Sequence, residues 1–151
     1  MPHVEVTETV VAPRARVYEV CCDMESFPRF MPDVKGVKTV ERGPGFTVTE
    51  WDTRVKGRPF RWQERDTFDD ANHHIDFKLV KGDIKRFDGF WQLDEDAGGT
   101  KVTLALDFDF GVPMLAALLD PVARLLIKGN FQKMLRGLKE QLESQSGGQG
   151  K

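Results

Sequence analysis

Two carboxylates two positions apart are the residues best suited to acid–base chemistry in this chain. Phe60, Trp62 and Phe68 lie at even spacing among polar residues, a period of two that is typical of a strand with one buried face. The same phase turns Glu64 and Asp66 inward, where the loss of water would raise their pKa values toward those of general acids or bases. A β-bulge after Trp62 would instead reverse the phase and expose both carboxylates.

The remaining reactive residues show no pattern of a catalytic or metal site. Cys21 and Cys22 are adjacent on a predicted helix, so their side chains diverge by about 100° and suit helix packing better than a redox pair. His73 and His74 point to opposite faces of a strand and cannot bind one metal together. No glycine-rich nucleotide-binding motif is present. We therefore predict no metal and no cofactor.

An antiparallel sheet is predicted to position these residues. Val4, Val6 and Val10 share one phase and indicate a first strand, and two short helices follow it. Six further strands are separated by turns too short for a crossover helix, so neighbouring strands should be antiparallel. They are predicted at 34–42, 46–56, 60–69, 73–80, 84–94 and 101–110.

The hydrophobic period changes from that of a strand to that of a helix near the end of the chain. After Gly111 apolar residues follow helical spacing through Leu142, which predicts a long helix packed on the apolar face of the sheet. This stripe is interrupted at Gly129, which either leaves room for a ligand or marks a kink. The segment 112–127 is apolar nearly all round, so part of it could form a portal to a cavity or a dimer contact.

Strand alternation and helix spacing together predict a cavity between sheet and helix. Eleven phenylalanines and three tryptophans against one tyrosine would form apolar walls, although filling the core alone could account for many of them. The predicted lining residues are Trp51, Trp62, Phe77, Phe87, Trp91, Leu106, Phe108, Met114, Leu118, Val122, Leu125 and Gly129.

Length and charge narrow the class of protein. The 151 residues are predicted to form a single domain over 1–143, followed by a disordered tail over 144–151. A net charge of −2 argues against a nucleic-acid partner. No stretch approaches the roughly 18 apolar residues of a membrane span, and we expect a cytoplasmic location.

Four short segments resemble one known family. They are Val-Val-Ala-Pro at 10–13 with Val17, Tyr18 and Asp23 after it, Phe-Pro-Arg-Phe-Met-Pro at 27–32, Gly-Phe-Trp at 89–91, and the helix 131–142. Their order resembles the polyketide cyclase/dehydrase branch of the START-like (SRPBCC) superfamily. The resemblance implies an α+β helix-grip fold, in which a curved antiparallel sheet of about seven strands wraps around a long C-terminal helix, with two short helices after strand 1. It also implies a deep apolar cavity, but no particular reaction.

Three hypotheses for the function follow. The first is binding of a hydrophobic small molecule, such as a lipid, a quinone or an aromatic polyketide-like compound. The alternative is a polyketide aromatase/cyclase that promotes aldol cyclisation and dehydration, with Glu64 and Asp66 as the acid–base groups. The third is an interaction protein that uses its helix surface. We expect the protein to be a monomer or a homodimer. The basic residues between Lys78 and Arg86 could also make transient contact with a membrane surface.

Overall fold

The computed structural model describes the backbone of residues 3–110 and 113–149, and the side chains of residues 3–110 and 121–144. Seven strands form one antiparallel sheet in the order β1-β7-β6-β5-β4-β3-β2. The predicted helix-grip fold is confirmed. The elements are β1 (His3–Val10), α1 (Arg14–Cys22), a 3₁₀ helix (Met24–Arg29), β2 (Val34–Gly43), β3 (Phe46–Val55), β4 (Arg58–Asp69), β5 (His74–Gly82), β6 (Arg86–Asp96), β7 (Gly99–Asp109) and α2 (Pro113–Gln149).

The turns between strands are short because glycines allow the chain to reverse. Gly45 and Gly57 have φ angles of 74° and 77°, a left-handed conformation that costs glycine little and other residues more. Each lies in a turn that joins consecutive antiparallel strands, β2 to β3 and β3 to β4. The turns fall where the sequence predicts them, and the predicted strands agree with the observed ones, with small differences at their ends.

Helix α2 packs chiefly against the edge strand β1. The Lys139 ammonium donates a hydrogen bond to the Thr9 carbonyl at 2.8 Å, and the Val11 amide donates to the Glu143 carboxylate at 2.9 Å. The buried residues of α2 recur at helical spacing. They are Ile127, Phe131, Leu135, Leu138 and Leu142.

The first half of α2 presents a different face from the predicted one. Val122 and Leu125 are exposed, and an added carbon at Gly129 would meet no atom within 4 Å. At about 100° per residue, Leu125 lies roughly 120° around the helix from Phe131, so the two cannot both face the sheet. Val122 and Leu125 thus do not line a buried cavity as predicted, because the buried stripe passes through Ile127, whereas Gly129 borders open space. The side chains of Met114 and Leu118 lie outside the described residues.

The other edge of the sheet is strand β2. Its pairing with β3 is interrupted twice, between Val34 and Gly36 and between Thr39 and Glu41.

Above the neighbouring strands the 3₁₀ helix places Phe27 in the core, with its ring 5.8 Å from that of Trp51 and 5.8 Å from that of Trp91. The short helices thereby cover the part of the inner face that α2 leaves open.

The end of α2 differs from the predicted disordered tail. Its helical backbone continues to Gln149, although the composition of 144–151 predicts disorder. Each residue added to an existing helix gains a hydrogen bond without a new nucleation cost, so a polar end can extend a stable helix. None of the helices described here is long and apolar enough to cross a membrane.

Candidate functional site

Strand β4 buries both candidate catalytic carboxylates. Glu64 is 3% exposed and Asp66 is fully buried, while Arg65 between them faces solvent. A bulge does occur beside them, but the extra residue is Val80 on β5, since Gln63 pairs with Lys81 and Glu64 with Leu79. The phase of β4 is therefore unbroken, and both carboxylates point inward.

Two threonines of strand β3 hold the Asp66 carboxylate. The Thr49 hydroxyl donates to Oδ2 of Asp66 at 2.6 Å and the Thr47 hydroxyl donates to the same oxygen at 3.2 Å. The indole N–H of Trp51 in turn donates to the Thr49 hydroxyl oxygen at 2.8 Å. Hydrogen bonds to a carboxylate favour its charged form, so this chain of donors stabilises a negative charge on Asp66.

Glu64 is the member of the pair that keeps a proton. Burial raises its pKa well above the ordinary value, and the nearby Asp66 carboxylate raises the pKa further. Burial also raises the pKa of Asp66, but the threonine hydroxyls oppose that shift. Oδ1 of Asp66 is buried and accepts no hydrogen bond from an amide, hydroxyl or cationic group among the described residues. A protonated Glu64 can donate a hydrogen bond to the Asp66 carboxylate, and this hydrogen bond favours the proton on Glu64.

Aromatic rings surround this pair. Trp51 and Trp62 are stacked, with ring centroids 5.4 Å apart and planes inclined by 7°. Trp62 also packs on Phe87 at 4.6 Å, and its indole N–H donates to Oε1 of Glu64 at 2.8 Å. Trp62 therefore connects the carboxyl pair to the apolar space beyond it.

That space is a small pocket between α2 and the ends of β3 and β4. Its volume is about 50 Å³, room for a few water molecules, whereas ligand pockets usually measure about 300–1,000 Å³. Asn130 closes one side, where its side-chain amide donates to the Arg54 carbonyl at 3.0 Å. The lining is mostly apolar: Asp33, Val34, Thr53, Val55, Phe60, Trp62, Phe87, Ile127, Asn130, Phe131 and Met134.

The predicted cavity residues that lie on the sheet divide into two groups. Trp62 and Phe87 line the pocket. Five others face the interior of the sheet but are packed into the core away from the pocket: Trp51, Phe77, Trp91, Leu106 and Phe108. The carboxylates of Glu64 and Asp66 also lie outside the lining, behind Trp62.

Several lining residues were not predicted, although the sequence carried a signal for them. Phe60 lies in the same phase as Trp62, and Val55 lies in the same phase as Trp51. Extending the helix stripe back from Phe131 by one turn leads to Ile127 rather than to Leu125. Thr49 shares the phase of Trp51, but its hydrogen bond to Asp66 is a cross-strand contact that alternation alone does not reveal.

Other reactive side chains do not form a second centre. The Tyr18 hydroxyl donates to the Asp70 carboxylate at 2.7 Å, and burial raises the pKa of Cys22 to about 11. A thiol with that pKa stays protonated near neutral pH and is a poor nucleophile. Within the described residues, no three histidine, cysteine or carboxylate side chains are arranged to hold a metal ion.

A larger depression of about 700 Å³ lies on the opposite face of the sheet. Charged side chains such as Glu50, Asp52, Arg61 and Lys81 line it, and it is open to solvent. This lining does not suit an apolar molecule, so the smaller pocket under α2 is the better candidate for a hydrophobic ligand.

Comparison with known proteins gives a consistent result. Residues 10–135 match the family described as polyketide cyclase/dehydrase and lipid transport. The chain is 31% identical over 138 residues to the actinorhodin polyketide synthase bifunctional cyclase/dehydratase of Streptomyces coelicolor. That match covers 90% of this chain but only 38% of the longer relative.

Solved structures share the fold. A protein from Thermus thermophilus superposes with a TM-score of 0.90 at 29% identity, covering 96% of this chain and 99% of the other. A START superfamily protein from Mycobacterium smegmatis superposes with a TM-score of 0.81 at 18% identity, covering 95% and 99%. The second likeness concerns the fold alone.

Proposed function

The chain belongs to the polyketide cyclase/dehydrase and lipid transport family, and from this we propose that it binds a hydrophobic small molecule between the sheet and α2. The ligand class is a lipid, a quinone or an aromatic polyketide-like compound. The observation that carries the proposal is the pocket beside Trp62, which has aromatic and aliphatic walls and Asn130 as a polar group at one side. Mostly apolar walls with few polar groups are typical of small-molecule sites.

Ligand entry requires the pocket to enlarge. The present volume of about 50 Å³ is several times too small for a lipid or a polycyclic molecule. On α2, Val122 and Leu125 are exposed and Ala123 packs partly against the core, while Ile127 and Phe131, which line the pocket, are buried. An outward displacement of the helix residues that line the pocket would enlarge the space beside Phe60 and Phe87; these residues are Ile127, Asn130, Phe131 and Met134.

A filling substitution tests the proposal. Val55→Phe places a ring at the pocket and should lower the affinity for an apolar probe, anilinonaphthalene sulfonate, at least about tenfold. Val40→Phe makes the same change at an exposed position and should leave the affinity unchanged. Tryptophan fluorescence reports binding, since Trp62 lines the pocket, and mass spectrometry of the purified protein identifies any ligand that copurifies. Equal affinity in both variants would contradict binding at this pocket.

The buried carboxyl pair favours a second candidate, an aromatase/cyclase. A protonated Glu64 could donate a proton to a leaving hydroxyl, and an ionised Asp66 could accept one during aldol closure and dehydration. Both groups lie behind Trp62, so a substrate bound in the pocket would reach them if that indole moved. Glu64→Gln should then abolish cyclisation of a linear poly-β-keto thioester while probe binding persists. Unchanged cyclisation in this variant would exclude Glu64 as the acid.

A further inference from the structure

Exposed basic residues gather at one end of the sheet. Three segments meet there: the β3–β4 turn, the β5–β6 turn and the first part of α2. The Arg54 carbonyl accepts from Asn130 of α2 at 3.0 Å, and the Lys85 amide donates to the Asp109 carbonyl of β7 at 2.9 Å. The exposed basic side chains of this basic end are Lys56, Arg58, Lys81, Lys85, Arg124 and Lys128.

Among the side chains that the structure describes, no ion pair neutralises these charges. None of the six forms an ion pair with any side chain that the structure describes. The exposed acid among them, Asp83, accepts a hydrogen bond from the Arg61 amide at 3.0 Å. The basic end therefore has a surplus of positive charge that faces solvent.

Large apolar side chains are exposed at the same end. Leu125 is 70% exposed, Val122 is 54% exposed, and Phe110 at the end of β7 is 39% exposed. Arg124 and Lys128 flank Leu125 along α2. Aliphatic residues interleaved with basic ones on a helix surface are typical of segments that lie in a membrane interface.

The opposite end of the sheet carries the opposite charge. The β4–β5 and β6–β7 turns expose five acidic residues: Asp69, Asp70, Asp94, Glu95 and Asp96. The net charge of the whole chain is −2, so the basic end reflects separation of charge rather than an overall excess. In the field of an anionic surface, such a molecule turns its basic end toward that surface and its acidic end away.

We propose that the basic end docks on the surface of an anionic lipid bilayer. Leu125, Val122 and Phe110 enter the headgroup region, while the surrounding lysines and arginines contact lipid phosphates and carboxylates. An acidic protein would match the charges alone, but the exposed aliphatic side chains beside these charges match a bilayer better. The docked orientation places the first part of α2, and the pocket behind it, next to the lipid. Docking does not depend on whether the pocket binds a ligand.

Cosedimentation with vesicles tests this surface. The full chain should bind phosphatidylcholine vesicles that contain about 30 mol% phosphatidylserine, and binding should weaken with added salt. Pure phosphatidylcholine vesicles should bind it at least about tenfold more weakly. Equal binding to both kinds of vesicle, or binding to neither, would overturn the proposal. Failure to bind vesicles together with binding to an acidic protein would overturn it as well.

Matched variants locate the contact. Lys56→Glu combined with Arg58→Glu should reduce binding to the anionic vesicles at least about tenfold, and Leu125→Asp should also reduce it. The controls are Arg42→Glu combined with Lys101→Glu, which makes the same charge change elsewhere, and Val40→Asp on β2; both should bind like the unmodified chain. Circular dichroism confirms that each variant is folded. Equal losses in the test and control variants would refute docking through the basic end.

Discussion

The indole N–H of Trp62 donates a 2.8 Å hydrogen bond to Oε1 of Glu64, the next inward residue of the same strand. Trp62 lines the apolar pocket, and its hydrogen bond connects the indole to a carboxyl group whose pKa is raised by burial and by the nearby Asp66. A movement of Trp62 would therefore change both the shape of the pocket and the surroundings of the carboxyl pair.

The protonation of Glu64 predicts how stability changes with pH. In the unfolded chain Glu64 loses its proton near its ordinary pKa of about 4.5, whereas in the folded chain its pKa is raised. Above that pH the unfolded state binds fewer protons, so the free energy of unfolding falls as pH rises, by up to about 1.4 kcal/mol per pH unit, until pH exceeds the raised pKa.

Glu64→Gln should remove this part of the pH dependence. The amide can still accept from Trp62 and donate to Asp66, but it does not ionise. Urea unfolding between pH 5 and 8 should show a shallower decline than for the unmodified chain, and Glu41→Gln at an exposed position should show the original decline. The same slope in all three proteins would mean that Glu64 is ionised in the folded state.

Thr49→Val should destabilise the fold. The substitution keeps the side-chain shape but removes the 2.6 Å hydrogen bond to Asp66 and the acceptor for Trp51. Loss of a hydrogen bond to a charged group typically costs about 1.5–3 kcal/mol. Urea unfolding at pH 7 measures the cost, and Thr67→Val, an exposed position on β4, should change stability by less than about 0.5 kcal/mol. Equal effects at the two threonines would argue against an ionised Asp66.

Two glycines of α2 should respond in opposite ways to alanine. Gly129→Ala adds a carbon that meets no neighbour and should stabilise the helix by about 0.5–1 kcal/mol. Gly137→Ala would push a carbon into the Phe30 carbonyl oxygen and should cost about 1–3 kcal/mol. Thermal unfolding compares the two variants. Destabilisation by Gly129→Ala would show that this position is packed after all.

Met134→Ala should enlarge the pocket. Met134 lies at its helix side and is partly buried, so the truncation should cost about 2 kcal/mol of stability or less. The added volume should raise the affinity for anilinonaphthalene sulfonate severalfold, as measured by fluorescence titration. Gln132→Ala, on the exposed side of the same helix, provides the control. An affinity equal to that of the unmodified chain would place the probe elsewhere.

Strand faces could be predicted from sequence more securely than helix faces. On β4 the period of two turns Glu64 and Asp66 inward unless a bulge reverses the phase after Trp62. The bulge instead takes its extra residue, Val80, from β5, and no sequence feature marks that residue. On α2 the segment before Ile127 is apolar nearly all round, so its apolar residues do not by themselves mark which face is buried. Contact with the sheet chooses between them.

The sequence alone does not predict which of the two carboxyl groups, Glu64 or Asp66, favours its protonated form. The sequence leaves open whether Glu64 and Asp66 are buried, and the threonines that stabilise charge on Asp66 belong to another strand. Which carboxyl keeps the proton depends on these cross-strand donors. Pocket volume is likewise a property of packing, since the aromatic residues expected to line a cavity mostly fill the core instead.

The two interruptions in β2 have a consequence for aggregation. An open edge strand can recruit strands from other chains, and proteins commonly prevent this with bulges and lysines. In β2 the pairing irregularities next to Gly36 and Glu41 accompany the exposed side chains of Lys35, Lys38 and Arg42. Edge-to-edge addition of a second copy at β2 is therefore disfavoured, and the sheet ends at seven strands.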